Sequence, residues 1–385
     1  MNTTNHLKQR PQIGYHYDGI PAPKGFAAEL RILTESWNRV VAVPYLVYMP
    51  EKDQLLMLVS CDYPHRPFVL SSDDRGKNWT EPQALENPSD DLNHHIGVSL
   101  TYLGAGKVLL NLESSGRYFS RDFGLTWTGP VPKPPMADGT PWNQWDPFLV
   151  DKDPATGKVI RLWETGWKFD ATAQEEGMGL CPQKPFFRTS EDEGRTWSRE
   201  AEVARNVGGG EVALFRAANG NLIAACRTTV PRRFNTPIPE IDHYEGLGIS
   251  ISTDEGRTWS KLDVLYEYGR HHPSLVCLPN GNIVMTYVVR KGYPDTADGF
   301  SQFGIEAVVS RDHGRTWSVD RPYFLAKWAG NQQGENRWWS SSQATSTVLL
   351  PDGSLLTAFG TGYRSRPNEN NMSAPRDVGL VQWKF

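Results

Sequence analysis

The 385-residue chain is poor in the features that mark several protein classes. It has four cysteines, Cys61, Cys181, Cys226 and Cys277, and none sits in a Cys-x-x-Cys pair. That spacing offers no zinc-ribbon or thioredoxin-like signature and no disulfide framework. Cys226 and Cys277 lie inside apolar runs, where buried thiols are expected. Basic charge is not in excess: 40 Lys and Arg face 44 Asp and Glu, a net charge of −4. Neither a nucleic-acid footprint nor a polybasic membrane patch is expected. No apolar run reaches the length of a membrane-spanning helix. The N-terminus, MNTTNHLKQRPQIGYHYDG, has no apolar core of the secretory-leader kind, so a cytoplasmic protein with reduced thiols is the expectation. Long charged or low-complexity runs are missing too, and 38% hydrophobic content suits a folded chain.

What is abundant is turn residues, with 35 Gly and 28 Pro, and tryptophan, with 14. Many of these fall into a repeat. One octapeptide recurs as SDDRGKNW (72–79), SRDFGLTW (120–127), SEDEGRTW (190–197), STDEGRTW (252–259) and SRDHGRTW (310–317). The pattern is Ser-x-Asp-x-Gly-x-Thr-Trp, with Asn78 once in place of Thr. Its logic is local. The Asp can accept from backbone N–H groups of its own turn. The Gly permits a positive φ. The Trp packs an apolar face beneath the turn. Successive Asp residues (74, 122, 192, 254, 312) lie 48, 70, 62 and 58 apart, which suits one four-stranded unit per repeat with loops of variable length. The boxes are read as structural.

A second unit recurs out of phase with the first: apolar run, Gly-containing turn, apolar run. It appears at 44–60, 98–114, 147–164, 212–227, 273–290 and 345–360. Asn-Gly and Asp-Gly between β-branched runs signal hairpins. Five hairpins are followed by a box and the sixth by GLVQWKF. The segment ELRILTESW (29–37) is then free to pair beside that last strand and close a ring. The expected fold is all-β, a six-bladed β-propeller over residues 29–385, with residues 1–28 as an N-terminal extension.

In a propeller the innermost strands begin near the axis on one face, so residues just ahead of each hairpin converge. Aligned on the turn glycines, those positions hold Val43, Asp146, Glu211, His272 and Ala344. The loop of blade two carries His94 and His95, and Trp145 and His271 flank the set. At the far ends of the hairpins lie Asp62, Glu113, Glu164, Arg227 and Arg290. Acids and bases clustered in a pocket can shift one another's pKa, as acid–base chemistry requires.

Five such boxes in a chain of this size resemble the sialidase (neuraminidase) superfamily of six-bladed propellers. The resemblance implies a Glu heading the fourth-blade hairpin and an Arg ending it, as Glu211 and Arg227 do. It implies that the Glu supports a nucleophile and that the Arg belongs to a triad gripping a substrate carboxylate. Elsewhere the chain departs from the family. Ala42-Val43-Pro44 stands where the family has Arg-Ile-Pro, no Tyr occurs near Ala344, and FSQFGIEAVV (300–309) lacks the fifth-blade Arg. The resemblance implies an acid/base Asp in the first-blade loop, for which Asp62, in CDYPHRP, is the candidate.

Three chemistries fit what remains. The first is exo-acting hydrolysis of an acidic or deoxy sugar by Asp146 and Glu211, as in related arabinan-cleaving propellers, with His272 as acid/base or orienter. The second is a lyase on uronate glycans, with a His base. The third is a metal site of the His pairs and Asp146, placed last because adjacent residues on a strand point to opposite faces. The lyase is the competing class, and a non-catalytic glycan-binding propeller is a third. Substrate contacts are expected from Arg227, His95, His271, Trp145, Arg290 and Tyr363, with Trp163, Trp167, Trp338 and Trp339 nearby as stacking surfaces. The adopted reading is a hydrolase on a carbohydrate partner that needs no metal and no cofactor.

Overall fold

A computed structural model describes residues 26–62, 64–85, 95–113, 116–169, 183–203, 209–229, 245–291, 302–329, 343–363 and 375–384. Their strands form six four-stranded antiparallel sheets, the blades of a propeller. Blade one is Val41–Met49, Gln54–Cys61, Arg66–Ser72 and Gln83–Ala84. Blade two is Gly97–Gly104, Lys107–Leu112, Arg117–Ser120 and Thr128–Val131. Blade three is Leu149–Lys152, Val159–Phe169, Gln183–Ser190 and Ala201–Glu202. Blade four is Gly209–Arg216, Leu222–Thr228, Gly246–Ser252 and Asp263–Tyr266. Blade five is Arg270–Cys277, Ile283–Lys291, Gln302–Ser310 and Tyr323–Ala329. In each of these, chain order is sheet order. Residues from the first strand of every blade line one cavity of about 540 Å³ along the axis.

Blade six closes the ring. Gln343–Leu349, Leu355–Tyr363 and Arg376–Lys384 take their outer partner from the other end of the chain, Ala27–Ile32. That strand pairs in register from Ala27 opposite Lys384 to Ile32 opposite Gly379. It starts two residues ahead of the expected boundary, and residues 35–37 leave the sheet as a short 3-10 turn. Thr34 seals the joint: its hydroxyl donates to Asp377 Oδ1 at 3.0 Å and accepts from the Val378 N–H at 3.1 Å. Both edges of this joint are thereby paired.

The boxes do more than shape a turn. In SEDEGRTW the Asp192 carboxylate accepts from the Thr196 N–H at 2.9 Å and the Thr196 hydroxyl at 2.6 Å, while Ser190 Oγ accepts from the Gly194 N–H at 2.8 Å. The residue before each box glycine also takes a positive φ, between 59° and 65°. A Cβ on Gly124, Gly256 or Gly314 would meet Leu56, Phe187 or Ile223 of the preceding blade within 2.7 Å. These glycines set blade-to-blade approach as well as turn geometry.

Glu164 has a structural place rather than one in the pocket. It is fully buried between Arg117 of blade two and Arg188 of its own blade, bonded to both. Arg188 lies 4.1 Å from the Trp142 ring centre, and Arg117 lies 5.0 Å from that of Trp197. Trp163, expected near a sugar, is buried in the core with its N–H on Asp151 at 2.7 Å. Cys61 and Cys226 are buried thiols that burial pushes up to about 12, whereas Cys277 is only half-buried. Cys181 lies outside the described residues. No helix among the described residues is long and apolar enough to cross a membrane.

Two stability predictions follow from these contacts. Glu164→Ala strands two buried guanidinium groups and should cost about 3–5 kcal/mol in denaturant unfolding. An unchanged midpoint would refute the lock between blades two and three. The second concerns acid. Backbone and side-chain donors on Asn78, Thr196 and Thr258 hold Asp74, Asp192 and Asp254 down to about 2. A lowered folded pKa contributes stability that is present above the unfolded value of about 3.9 and is lost as pH falls through the folded one. The melting temperature should therefore drop between about pH 4 and pH 2. Asp254→Asn should make that fall shallower.

Candidate functional site

The site begins with a backbone irregularity. Five innermost strands slip register at their heads, and the pairing skips Val43-Pro44, Val98, Gly210-Glu211, His272-Pro273 and Ala344. A bulge bends the strand and re-aims the residue it leaves unpaired. Val43, His272 and Ala344 take φ of 52°, 52° and 34°, a region that costs side-chain-bearing residues about 1–3 kcal/mol. The equivalent residue of blade two is Val98, not the histidines of its loop. Asp146 reaches the same floor differently, from the bend ahead of Leu149.

The bulge overturns one sequence argument. A regular strand would turn His271 and His272 to opposite faces. Here their ring centres lie 4.6 Å apart. Both rings are buried, and one ligand atom each from His271, His272 and Glu211 falls within 4.8 Å of the others.

Charge on the floor is organised around Arg227. Its Nη1 donates to both Glu211 oxygens, at 2.8 and 2.9 Å. Its Nε donates to Glu245 Oε2 at 2.5 Å, and its Nη2 donates to the same oxygen. His272 touches both Glu211 and Arg227, with Nδ1 3.1 Å from Glu211 Oε2 and Nε2 3.5 Å from Arg227 Nη1. Glu245 escaped the sequence reading because it belongs to no hairpin. It immediately precedes Gly246–Ser252, whose pairing sets Arg227 opposite Leu247. Only that register brings this second acid within reach of Arg227.

Asp146 differs from its neighbour. It is buried, one oxygen accepts from the Val212 N–H, and Oδ2 has no hydrogen-bond partner among the described residues. Burial, and then the charge of Glu211, pushes its carboxyl well above the usual range, against the pull of Val212 and Arg227. Tyr45 was also missed, read only as part of an apolar strand. Its hydroxyl donates to the Trp145 carbonyl at 3.3 Å, and burial with Asp146 and Glu211 nearby keeps the phenol protonated. Trp145 is half-buried against the cluster of Val43, Tyr45 and Ala344, with its ring 5.9 Å from that of His272.

The remaining expected residues are dispersed. Asp62 follows Cys61 and holds Arg39 in an outward pair, Nε to Oδ1 at 3.0 Å. His95 is buried, with its backbone N–H on His65 at 2.9 Å. Arg290 is buried near the end of the second strand of blade five, and its backbone N–H donates to Gly269. Tyr363 ends the second strand of blade six opposite Arg376. The Tyr363 side chain, His94, Trp338, Trp339 and the central part of the 328–343 loop lie outside the described residues.

Residues 118–372 match the model of the BNR repeat-like domain family. Among solved structures, a protein of unknown function from Dyadobacter fermentans superposes with a TM-score of 0.66 at 15% identity, over 94% of this chain and 100% of that one. The endosialidase of phage phi92 gives 0.64 at 11%, over 98% and 73%. The GH93 alpha-L-arabinofuranosidase of Fusarium graminearum, solved with arabinobiose, gives 0.54 at 14%, over 88% and 92%. At such identities the likeness is one of fold. No curated protein matches the sequence.

The coupling between the two carboxyl groups can be measured directly. Glu211→Gln removes one of the two influences that raise Asp146, so the Asp146 carboxyl should titrate lower in the variant, followed by its infrared C=O band. An unmoved titration would separate the two residues.

Proposed function

The chain belongs to the BNR repeat-like domain family, and from that premise we propose that it is a carbohydrate-active enzyme, an exo-acting glycoside hydrolase that works with Asp146 and Glu211. One observation carries the reading: two carboxyl groups share a floor in opposed environments. Asp146 is kept protonated by burial and can give its proton to a leaving glycosidic oxygen. Glu211, gripped by Arg227 and His272, faces the positive charge that develops on the sugar ring, as nucleophile or as base toward water. The half-buried Trp145 supplies an apolar face for the sugar. The arabinofuranosidase among the structural neighbours, solved with arabinobiose, lends support to glycoside hydrolysis on this fold.

Arg227 bears on the substrate. With its donors on Glu211 and Glu245, it leaves a floor of two acids around one cation. A sugar carboxylate would add a third negative charge there. We therefore favour a neutral or deoxy sugar over an acidic one. The same commitment sets the lyase reading second, since a lyase needs a cation for the uronate.

Aryl glycosides test the proposal. Asp146→Asn should lower kcat/KM about 10²–10⁴-fold on a poor leaving group and far less on a dinitrophenyl glycoside, which needs no acid. Because the working form of Asp146 is protonated, wild-type activity should fall as pH rises through its raised pKa. The variant should lose that alkaline limb. Equal losses on both leaving groups would remove Asp146 as the acid, and absorbance at about 235 nm without hydrolysis would mark an unsaturated product and a lyase instead.

A further inference from the structure

We propose that Glu211, His271 and His272 form a binding site for one divalent transition-metal ion, of which Zn²⁺ is the representative. The inference rests on the floor assigned above but not on its hydrolytic chemistry. His271 is completely buried at that floor, and the two-carboxylate mechanism gives it no task. Two imidazoles and one carboxylate are the protein donors of an open catalytic zinc site, which leaves a fourth position for water or substrate.

The geometry is close to what such an ion requires. Ligands at about 2.0–2.2 Å in a tetrahedron lie roughly 3.3–3.6 Å from one another. The Glu211 and His272 atoms are already 3.1 Å apart, and the three donors span no more than 4.8 Å. Closing the remaining gap takes about an ångström of side-chain rotation, within rotamer freedom. The backbone has done the larger part. Only the skipped pairing at His272-Pro273, with His272 at φ 52°, puts two consecutive imidazoles on one side of the strand.

Charge and solvation point the same way. Glu211 and Glu245 around Arg227 sum to −1, so the floor carries a spare negative charge before any cation arrives. Beside it, buried Asp146 Oδ2 has no hydrogen-bond partner among the described residues, and native structures rarely leave such an atom unanswered. On binding, Glu211 would keep one oxygen on Arg227 and turn the other to the ion, and His272 Nδ1 would exchange its contact with Glu211 for the metal. A His-rich donor set suits Zn²⁺, Co²⁺ or Ni²⁺, whereas Ca²⁺ and Mg²⁺ prefer oxygen shells.

The experiment uses tag-free full-length protein, stripped with chelator and titrated with Zn²⁺ by calorimetry, with bound metal counted by mass spectrometry. One equivalent per chain is expected, with Co²⁺ giving the visible absorption of a four-coordinate site. His271→Ala should weaken binding at least a hundredfold, and His271→Gln serves if the alanine variant fails to fold by circular dichroism. Asp62→Asn, which removes an acid engaged elsewhere, should leave binding intact. Absence of a stoichiometric site, or one indifferent to His271, overturns the inference. Glycoside hydrolysis by metal-free protein would leave the hydrolase standing whichever way the titration falls. Stoichiometric zinc without turnover of any glycoside would keep the site and remove the hydrolase.

Discussion

The pairing skipped at the head of the inner strands decides what reaches the axis of this propeller. A ladder with unbroken register would present alternate side chains to the two flanking blades, and none would be aimed along the channel. By dropping one or two residues from the ladder, blades one, four, five and six free the positions of Val43, Glu211, His272 and Ala344. Two of the four are chemically inert. The bulge is thus a property of the architecture, and chemistry appears only where a blade has put an ionisable residue into it. A valine at positive φ is costly, so the strain at Val43 shows that the ring imposes the conformation even where no function uses it.

Arg227 converts these separate positions into one electrostatic unit. Without it, Glu211 and Glu245 would repel across a poorly solvated floor, and Glu211 would burden Asp146 still further. With it, the charge on Glu211 is balanced by hydrogen bonds while Asp146 is left to the cost of burial. Burial is the first cause of the raised Asp146 carboxyl and the charge of Glu211 the second, and Arg227 pulls against both. A second glutamate, beyond the hairpin, takes the other donors of Arg227.

How much of this was legible depends on the range of the signal. The boxes and hairpins are local patterns, and they gave the six blades and the strand that closes them. The turn-glycine alignment placed Asp146, Glu211 and His272 in one set because it counts along single hairpins. It could not show that His271 joins His272, since period-two reasoning assumes the regular strand that the bulge abolishes. Nor could it show Glu245, whose relation to Arg227 exists only across the second and third strands of blade four. Tyr45 was hidden because a tyrosine within an apolar strand carries no mark of being near two acids. Glu164 and Trp163 erred the other way: both lie in the right hairpin, but they are turned between blades, where Arg117 and the core absorb them.

The last element is the seam between blades three and four. Asp146 belongs to a bend of blade three, and Glu211 to a bulge of blade four. What fixes one against the other is a single peptide, Val212, the residue after Glu211. Its N–H is given to Asp146, and its carbonyl accepts the Thr165 hydroxyl of blade three at 2.7 Å. The spacing of the two carboxyl groups is therefore set by one covalent step and one hydrogen bond, with a second hydrogen bond holding the peptide in place. Any change in how these two blades pack, far out along the contact of Phe187 with Trp259, is carried by that peptide to both groups at once. The same seam that excludes water from Asp146 also holds it beside Glu211, so burial and proximity, the two causes of its raised pKa, have a common structural origin.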